Sequence, residues 1–282
     1  MKRLIWYMLI ATAWLPDASC AQVIDLLVDP AQRIYIKQFM SSQLQADVHL
    51  QLLDVNDEPN QQSQWLIAMG DQHLAWASRY QHHYRHVLLF HVSVDALRGQ
   101  PAIDNSYALL LDQPLNRQIA LVGLLFPRAE NLAIVTTQIE QTDDSVSRIV
   151  LETGAHWQQA LSNAMLSYDV LLIPHQPRFY QPSVAHALLL TAYRQRKAVI
   201  GPDENYVAAG AIASCYTRFG QYLDQLIDMV NALQDQDPLP RTQYPRLFQV
   251  AVNRPVARSL GLNPAPDAEL ARQLRAVLEN SP

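Results

Sequence analysis

Three stretches decide how this 282-residue chain folds: YDVLLIPHQP (Tyr168–Pro177), AVIGPDENYVAAGAIAS (Ala198–Ser214) and LFQVAVNRPVARSLGLN (Leu247–Asn263). The first two begin with a short, near-continuous apolar run that stops at a proline and turns polar, as a strand buried on both faces does. The third ends in a short helical segment, Pro255–Leu260, that Gly261 can cap.

The same pattern extends upstream. Ile24–Val28, Trp65–Met69, Val87–Val92 and Leu132–Thr137 read as buried strands, as do Val170–Pro174 and Ala198–Ile200. Val48, Leu50 and Leu52 alternate with His49 and Gln51, a strand with one wetter face. Helical periods lie between them. Ile36, Phe39, Met40 and Leu44 share a face, as do Trp157, Leu161, Met165 and Tyr168. The run Leu223, Leu226, Ile227, Val230, Leu233 is the clearest helix, and Asp267 opens a terminal one bearing Leu270, Leu274 and Val277. Alternation of this kind predicts an α/β fold with doubly wound parallel sheets. It comes twice, so two lobes are expected with a ligand cleft between the carboxyl edges of their strands. The expected division is 22–127 with about 206–240 as lobe 1, and 128–205 with about 241–282 as lobe 2. Pro127-Arg128 is read as a crossover, and Asp235–Tyr244 as an exposed Pro-rich connector.

In their order these segments resemble the ABC-transporter substrate-binding family of tryptophan/tyrosine type. The resemblance is carried by Val252-Asn253 followed by Ala257 and Leu260-Gly261-Leu262. LIAMGDQHLAWASRY (Leu66–Tyr80) and VLLFHVSVDAL (Val87–Leu97) carry it in the first lobe. It implies a type I periplasmic-binding-protein-like fold, no chemistry performed, and a small-molecule solute handed to an ABC permease. The turns depart from the family. AIDNSYALLLDQ (Ala102–Gln113) lacks the expected glycines, Thr136-Thr137-Gln138 replaces an Asn-Pro turn, and Pro174-His175-Gln176 carries histidine after its proline. With eight glycines in the chain, few turns can bring bare backbone to a ligand. The lobes look inherited and the ligand-contacting turns rewritten.

The amino end reads as an export signal: Lys2-Arg3, an apolar run from Leu4 to Leu15, and small residues at Ser19 and Ala21 for cleavage before Gln22. A rival reading makes Cys20 a lipidated first residue, against which stands Asp17 where a lipobox has an aliphatic residue. Either way a periplasmic location is expected. Cys215 is then the one cysteine outside the leader, so stability must come from packing rather than disulfides. The formal net charge is −5, and losing Lys2, Arg3 and Asp17 removes two positive charges and one negative, giving about −6. An acidic chain with three lysines is a poor match for nucleic acid.

Candidate ligand residues are the polar groups at strand ends, where helix amino termini also receive anions. In lobe 1 these are Gly70 and Asp71, the latter reading first as a helix cap, with Ser93 and Asp95. In lobe 2 they are Thr137, Gln138, His175 and Gln176, with Asp203 either lining the cleft or capping a helix. Gln176 is the strongest single candidate, because a carboxamide both donates and accepts. Asp29 before Pro30 reads as an N-cap. His82 and His86 lie one helical turn apart, but no third ligand completes a metal site; His91 reads as a hydrogen-bonded core histidine. Tyr206, Tyr216, Phe219 and Tyr222 suit a ligand ring or helix–sheet packing. Asp143-Asp144-Ser145 reads as a solvated loop, and Cys215 has no nucleophile motif around it. With no catalytic or phosphate-binding motif, no enzyme activity, cofactor or metal is expected. The alternative to solute capture is an interaction or sensory module on the same scaffold, contacting an envelope transporter or signalling partner.

Overall fold

The computed structural model describes residues 22–137, 146–151 and 156–280. Its first sheet is built from β1 (Gln22–Leu27), α1 (Arg33–Gln43), β2 (Val48–Leu53), β3 (Trp65–Met69), α2 (Leu74–Tyr80), β4 (His86–Val92), α3 (Val94–Arg98) and β5 (Ser106–Leu110). The chain continues through α4 (Leu115–Leu125), β6 (Leu132–Thr136), β7 (Ser147–Val150), α5 (Trp157–Met165), β8 (Val170–Leu172) and α6 (Pro182–Arg194). Then come β9 (Ala198–Gly201), α7 (Glu204–Ala209), β10 (Ala213–Tyr216) and α8 (Phe219–Gln234). It closes with β11 (Thr242–Gln243), β12 (Gln249–Val252), α9 (Arg254–Ser259) and α10 (Asp267–Glu279).

The strands form two six-stranded sheets, ordered β11-β5-β4-β3-β1-β2 and β12-β10-β9-β8-β6-β7. Every pairing is parallel except β10 with β12. The central strands are apolar on both faces because helices cover both. β3 is buried along its whole length, and Leu88, Leu89, Val170 and Leu171 are fully buried.

Packing groups the helices differently from the boundaries expected at 127 and 206. Leu121, Val122 and Leu125 of α4 join the core of the second sheet with Leu270 and Leu274 of α10, so α4 sides with the second sheet. The segment α7–β10 also lies there, β10 pairing with β9 and β12. In contrast, α8 returns to the first sheet, where Leu223, Leu226 and Val230 meet Leu26, Ile67 and Leu88. The chain therefore passes between sheets after β5, after β10 and after β11. These crossings are tied together by side chains. Gln113 Nε2 donates to Thr217 Oγ1 (2.9 Å), which donates to the Leu247 carbonyl (2.6 Å). Arg117, only 9% exposed, donates to Gln113 Oε1 and to the Pro245 carbonyl, with its guanidinium over the Phe248 ring.

Several local expectations are corrected. His82 and His86 do not share a helix: a single turn at Gln81–His83 ends and β4 begins at His86. Asp29 does not cap α1, whose first residue is Arg33; its Oδ1 accepts from Ala31 N (2.9 Å) in the turn before the helix. The connector 235–244 contributes β11, which extends the first sheet beside β5. Ser19, Cys20 and Asp143-Asp144-Ser145 lie outside the described residues.

Candidate functional site

Both sheets bring their carboxyl ends to one gap between the lobes. β3 delivers Gly70 and Asp71, β4 delivers Ser93 to Asp95, and β5 delivers Asp112 and Gln113. From the other side β6 delivers Thr136 and Thr137, β8 delivers Pro174 to Gln176, and β9 delivers Asp203. A pocket of about 140 Å³ lies in this gap. Asp95, Arg98 and Asp112 face it from the first lobe, Thr136, Arg148 and Gln176 from the second, and Tyr244 from a crossing.

Most sequence candidates are tied to one another within a rim. Asp71 Oδ1 accepts from Ser93 N (2.7 Å) and its Oδ2 from Ser93 Oγ (2.7 Å). Ser93 Oγ in turn caps α3 by accepting from Ala96 N (3.1 Å). Asp71 thus bridges two strand ends, and the expected cap position of its own turn falls to Gly70, whose φ of +85° suits glycine. Gln176, 4% exposed, accepts from Thr137 N (2.9 Å) and Thr137 Oγ1 (3.1 Å) and donates to Thr136 Oγ1 (3.1 Å). It clamps the ends of β6 and β8 and keeps one N–H uncommitted. Gln138 lies outside the described residues.

His175, Tyr180 and Asp203 form a chain on the second rim. Tyr180 Oη is 2.5 Å from His175 Nδ1 and donates to Asp203 Oδ2 (3.0 Å), while Asp203 Oδ1 caps α7 through Tyr206 N (2.9 Å). Burial pushes the His175 imidazole down to about 4, against the opposing pull of Asp203. His91 sits across from it at the end of β4, where a bulge interrupts the register with β5 and the backbone takes φ +57°. Instead of the expected hydrogen-bonded core position, its ring stands edge-on to Tyr222 (4.9 Å between centroids) and Phe219 (5.7 Å). Burial, and then His175, push it down to about 4. Of the four aromatic residues expected to serve a ligand or packing, Tyr222 and Phe219 pack α8 on the first sheet, and Tyr206 donates to the Phe179 carbonyl (2.5 Å).

Sequence reasoning overlooked Asp112. Its carboxylate accepts from Val94 N (2.8 Å), closing the loop between β4 and β5. Burial raises it to about 7, and the nearby Asp95 and Asp71 add to the rise. The strand-end rule that nominated Asp95 applies equally to Asp112, which directly follows the apolar run Ala108–Leu111. Arg98 and Arg148 also line the pocket, and Arg148 lies on β7, a strand the apolar runs did not mark.

Cys215 is fully buried and its thiol is pushed up to about 12 by burial, which keeps it protonated. No group of three or more metal-ligating side chains occurs among the described residues, and no helix among them is long and apolar enough to cross a membrane.

No family model and no curated protein matches this chain. Solved structures do. A ligand-free, open substrate-binding protein with adhesive properties from Clostridium difficile aligns with a TM-score of 0.63 at 14% identity, over 88% of this chain and 96% of that one. An ABC domain in complex with L-Trp from Streptococcus pneumonia gives 0.55 at 13% identity, over 89% and 98%. A conserved domain protein from Vibrio cholerae gives 0.55 at 18% identity, over 90% and 98%. These likenesses, with two parallel-sheet lobes presenting their carboxyl rims to one gap, give the chain the periplasmic-binding-protein type I fold.

Proposed function

We propose that the protein is an exported, periplasmic solute-binding protein that captures a small metabolite between its lobes for an ABC permease. The observation that carries this reading is the pocket of about 140 Å³ walled from both sheets, with Asp112 and Asp95 on one side and Thr136 and Gln176 on the other. A pocket of that size suits a small metabolite rather than a macromolecular partner. Asp112 and Asp95 favour a guest bearing a protonated amine, and the pocket arginines Arg98 and Arg148 favour a carboxylate on its other end. Gly70, Ser93, Thr137, His175 and Asp203 are proposed to shape the same site. The guest's contacts to both lobes exist only when these are closed, so binding shifts the population toward the closed form that a permease reads.

Thermal unfolding with a panel of amino acids, amines and organic acids tests the proposal. A short zwitterion should raise the melting temperature of the native chain, and Asp112→Asn should abolish that ligand-induced rise. The reading fails if no panel member shifts unfolding.

A second reading, an interaction or sensory module, is favoured by one observation. The hydrogen bonds of Asp71, Ser93 and most of those of Gln176 are spent within the rims. Cross-linking in intact cells that recovers an envelope protein other than a permease, with no solute response, would select it.

A further inference from the structure

A second pocket lies outside the cleft. It measures about 500 Å³ and lies at the opposite end of the first sheet, at the amino ends of β1, β3 and β4 and beside the carboxyl end of α8. Six of its twelve lining residues are glutamine: Gln22, Gln45, Gln62, Gln64, Gln234 and Gln236. The chain holds 28 glutamines in 282 residues, so random placement would give about one. The side chains of Gln45, Gln62, Gln64 and Gln236 line the pocket, are exposed, and make no hydrogen bond to any other described residue. Gln234 donates to Gln22 Oε1 (2.6 Å), and its own Oε1 is a buried acceptor without a partner. The half-buried His86 ring forms the floor and tilts over the buried Trp65 at 4.5 Å. Burial, and then Arg85 and Arg241, hold the His86 imidazole below its ordinary value, so that floor is uncharged at neutral pH.

We propose that this pocket is a second binding site, separate from the cleft, that takes a neutral polyhydroxylated ligand: a short oligosaccharide. A carboxamide presents a donor and an acceptor side by side, which matches adjacent hydroxyls, and a ring floor receives the C–H face of a sugar. The lining's one arginine, Arg85, and one carboxylate, Asp235, balance, so the pocket has no net formal charge to draw a singly charged ligand. An extended peptide fits poorly. The strands ending here, β1, β3 and β4, are interior to the sheet, so no free edge is offered for backbone pairing. The volume falls within the range of about 300–1,000 Å³ usual for small-molecule pockets.

Saturation-transfer NMR on the purified full chain, with cellobiose, maltose and N,N′-diacetylchitobiose at about 10 mM each, tests this, since weak sugar sites fall in the millimolar range. At least one disaccharide should receive saturation. The double variant Gln62→Ala/Gln64→Ala should weaken its binding roughly tenfold, because two or more neutral hydrogen bonds disappear. Both side chains are exposed and make no internal hydrogen bond, and the backbone bonds of the two residues survive in alanine, so the variant should fold as the native chain does, which circular dichroism checks. Asp112→Asn, at the cleft, should leave the sugar signal in place even if it abolishes solute capture. No transfer to any of the three sugars overturns the inference. So does a signal that survives the double variant, or one lost on Asp112→Asn instead.

Discussion

Replacing Asp112 by asparagine should make the protein more stable at neutral pH and leave it unchanged in acid. The carboxylate sits at the end of β5 with its Oδ2 on Val94 N (2.8 Å), and burial with Asp95 and Asp71 raises it from an ordinary 3.8 to about 7. Its folded-state value lies above its unfolded one, so the folded form holds the proton more tightly. The stabilising contribution is complete below about pH 4 and is lost as the pH rises to about 7. A rise of about three units corresponds to an upper limit of about 4 kcal/mol of destabilisation above pH 7. The side chain keeps partial exposure, and water at the ionised group lowers the expected figure to about 2 kcal/mol. Asparagine retains the oxygen that accepts from Val94 and cannot ionise, so Asp112→Asn should recover that amount at pH 8. For a chain of this size that is a rise in melting temperature of roughly 4–8 °C. Urea unfolding of both proteins at pH 4 and pH 8 reads the difference directly. An Asp112→Asn protein no more stable than the native chain at pH 8, or a gain of equal size at pH 4, would refute the reasoning.

Other outcomes follow from the same geometry. His91 and His175 are held to about 4, below the ordinary 6.5, so their contribution is present above about pH 6.5 and lost as the pH falls toward 4. His175→Gln should therefore lose less stability than the native chain between pH 7 and pH 5, and equal losses in chemical denaturation would argue against a buried neutral imidazole. Gly201→Ala should destabilise by about 2 kcal/mol or more in thermal melts, because a Cβ there would lie 2.5 Å from Tyr206 Cβ and against Ala211; an unchanged melting temperature would contradict that packing. Asn253 caps α9 through Val256 N (3.1 Å) and donates to the Val207 carbonyl (2.8 Å). Asn253→Ala should cost about 1–2 kcal/mol in urea, and a cost near zero would show that neither bond matters. Cys215 should resist a thiol reagent in the native protein and react fully in denaturant; rapid native labelling would overturn its burial.

The amino-acid sequence by itself determined the buried central strands β1, β3, β4, β6, β8 and β9, the doubly wound alternation and the two-lobe plan. Each is a local property: a run such as Val170–Leu172 is apolar wherever it lies, and the Leu223–Leu233 face repeats at helical period whatever it meets. The strand-end positions Gly70, Asp71, Ser93, His175 and Asp203 were legible for the same reason. Only the tertiary structure decided which sheet owned α4, α7 and β10, because that depends on partners from elsewhere in the chain, such as α10 for α4. It also decided what each rim residue does. Gln176 meets Thr137 across 39 residues, and Gln113 meets Thr217 across 104. A carboxamide in sequence is equally suited to a ligand or to a neighbouring loop, and only the loop that arrives beside it chooses between them. Asp112 carries the same lesson in electrostatics: a carboxylate's affinity for its proton is set by the water and charge that folding removes or brings near, and neither is written beside it in the chain.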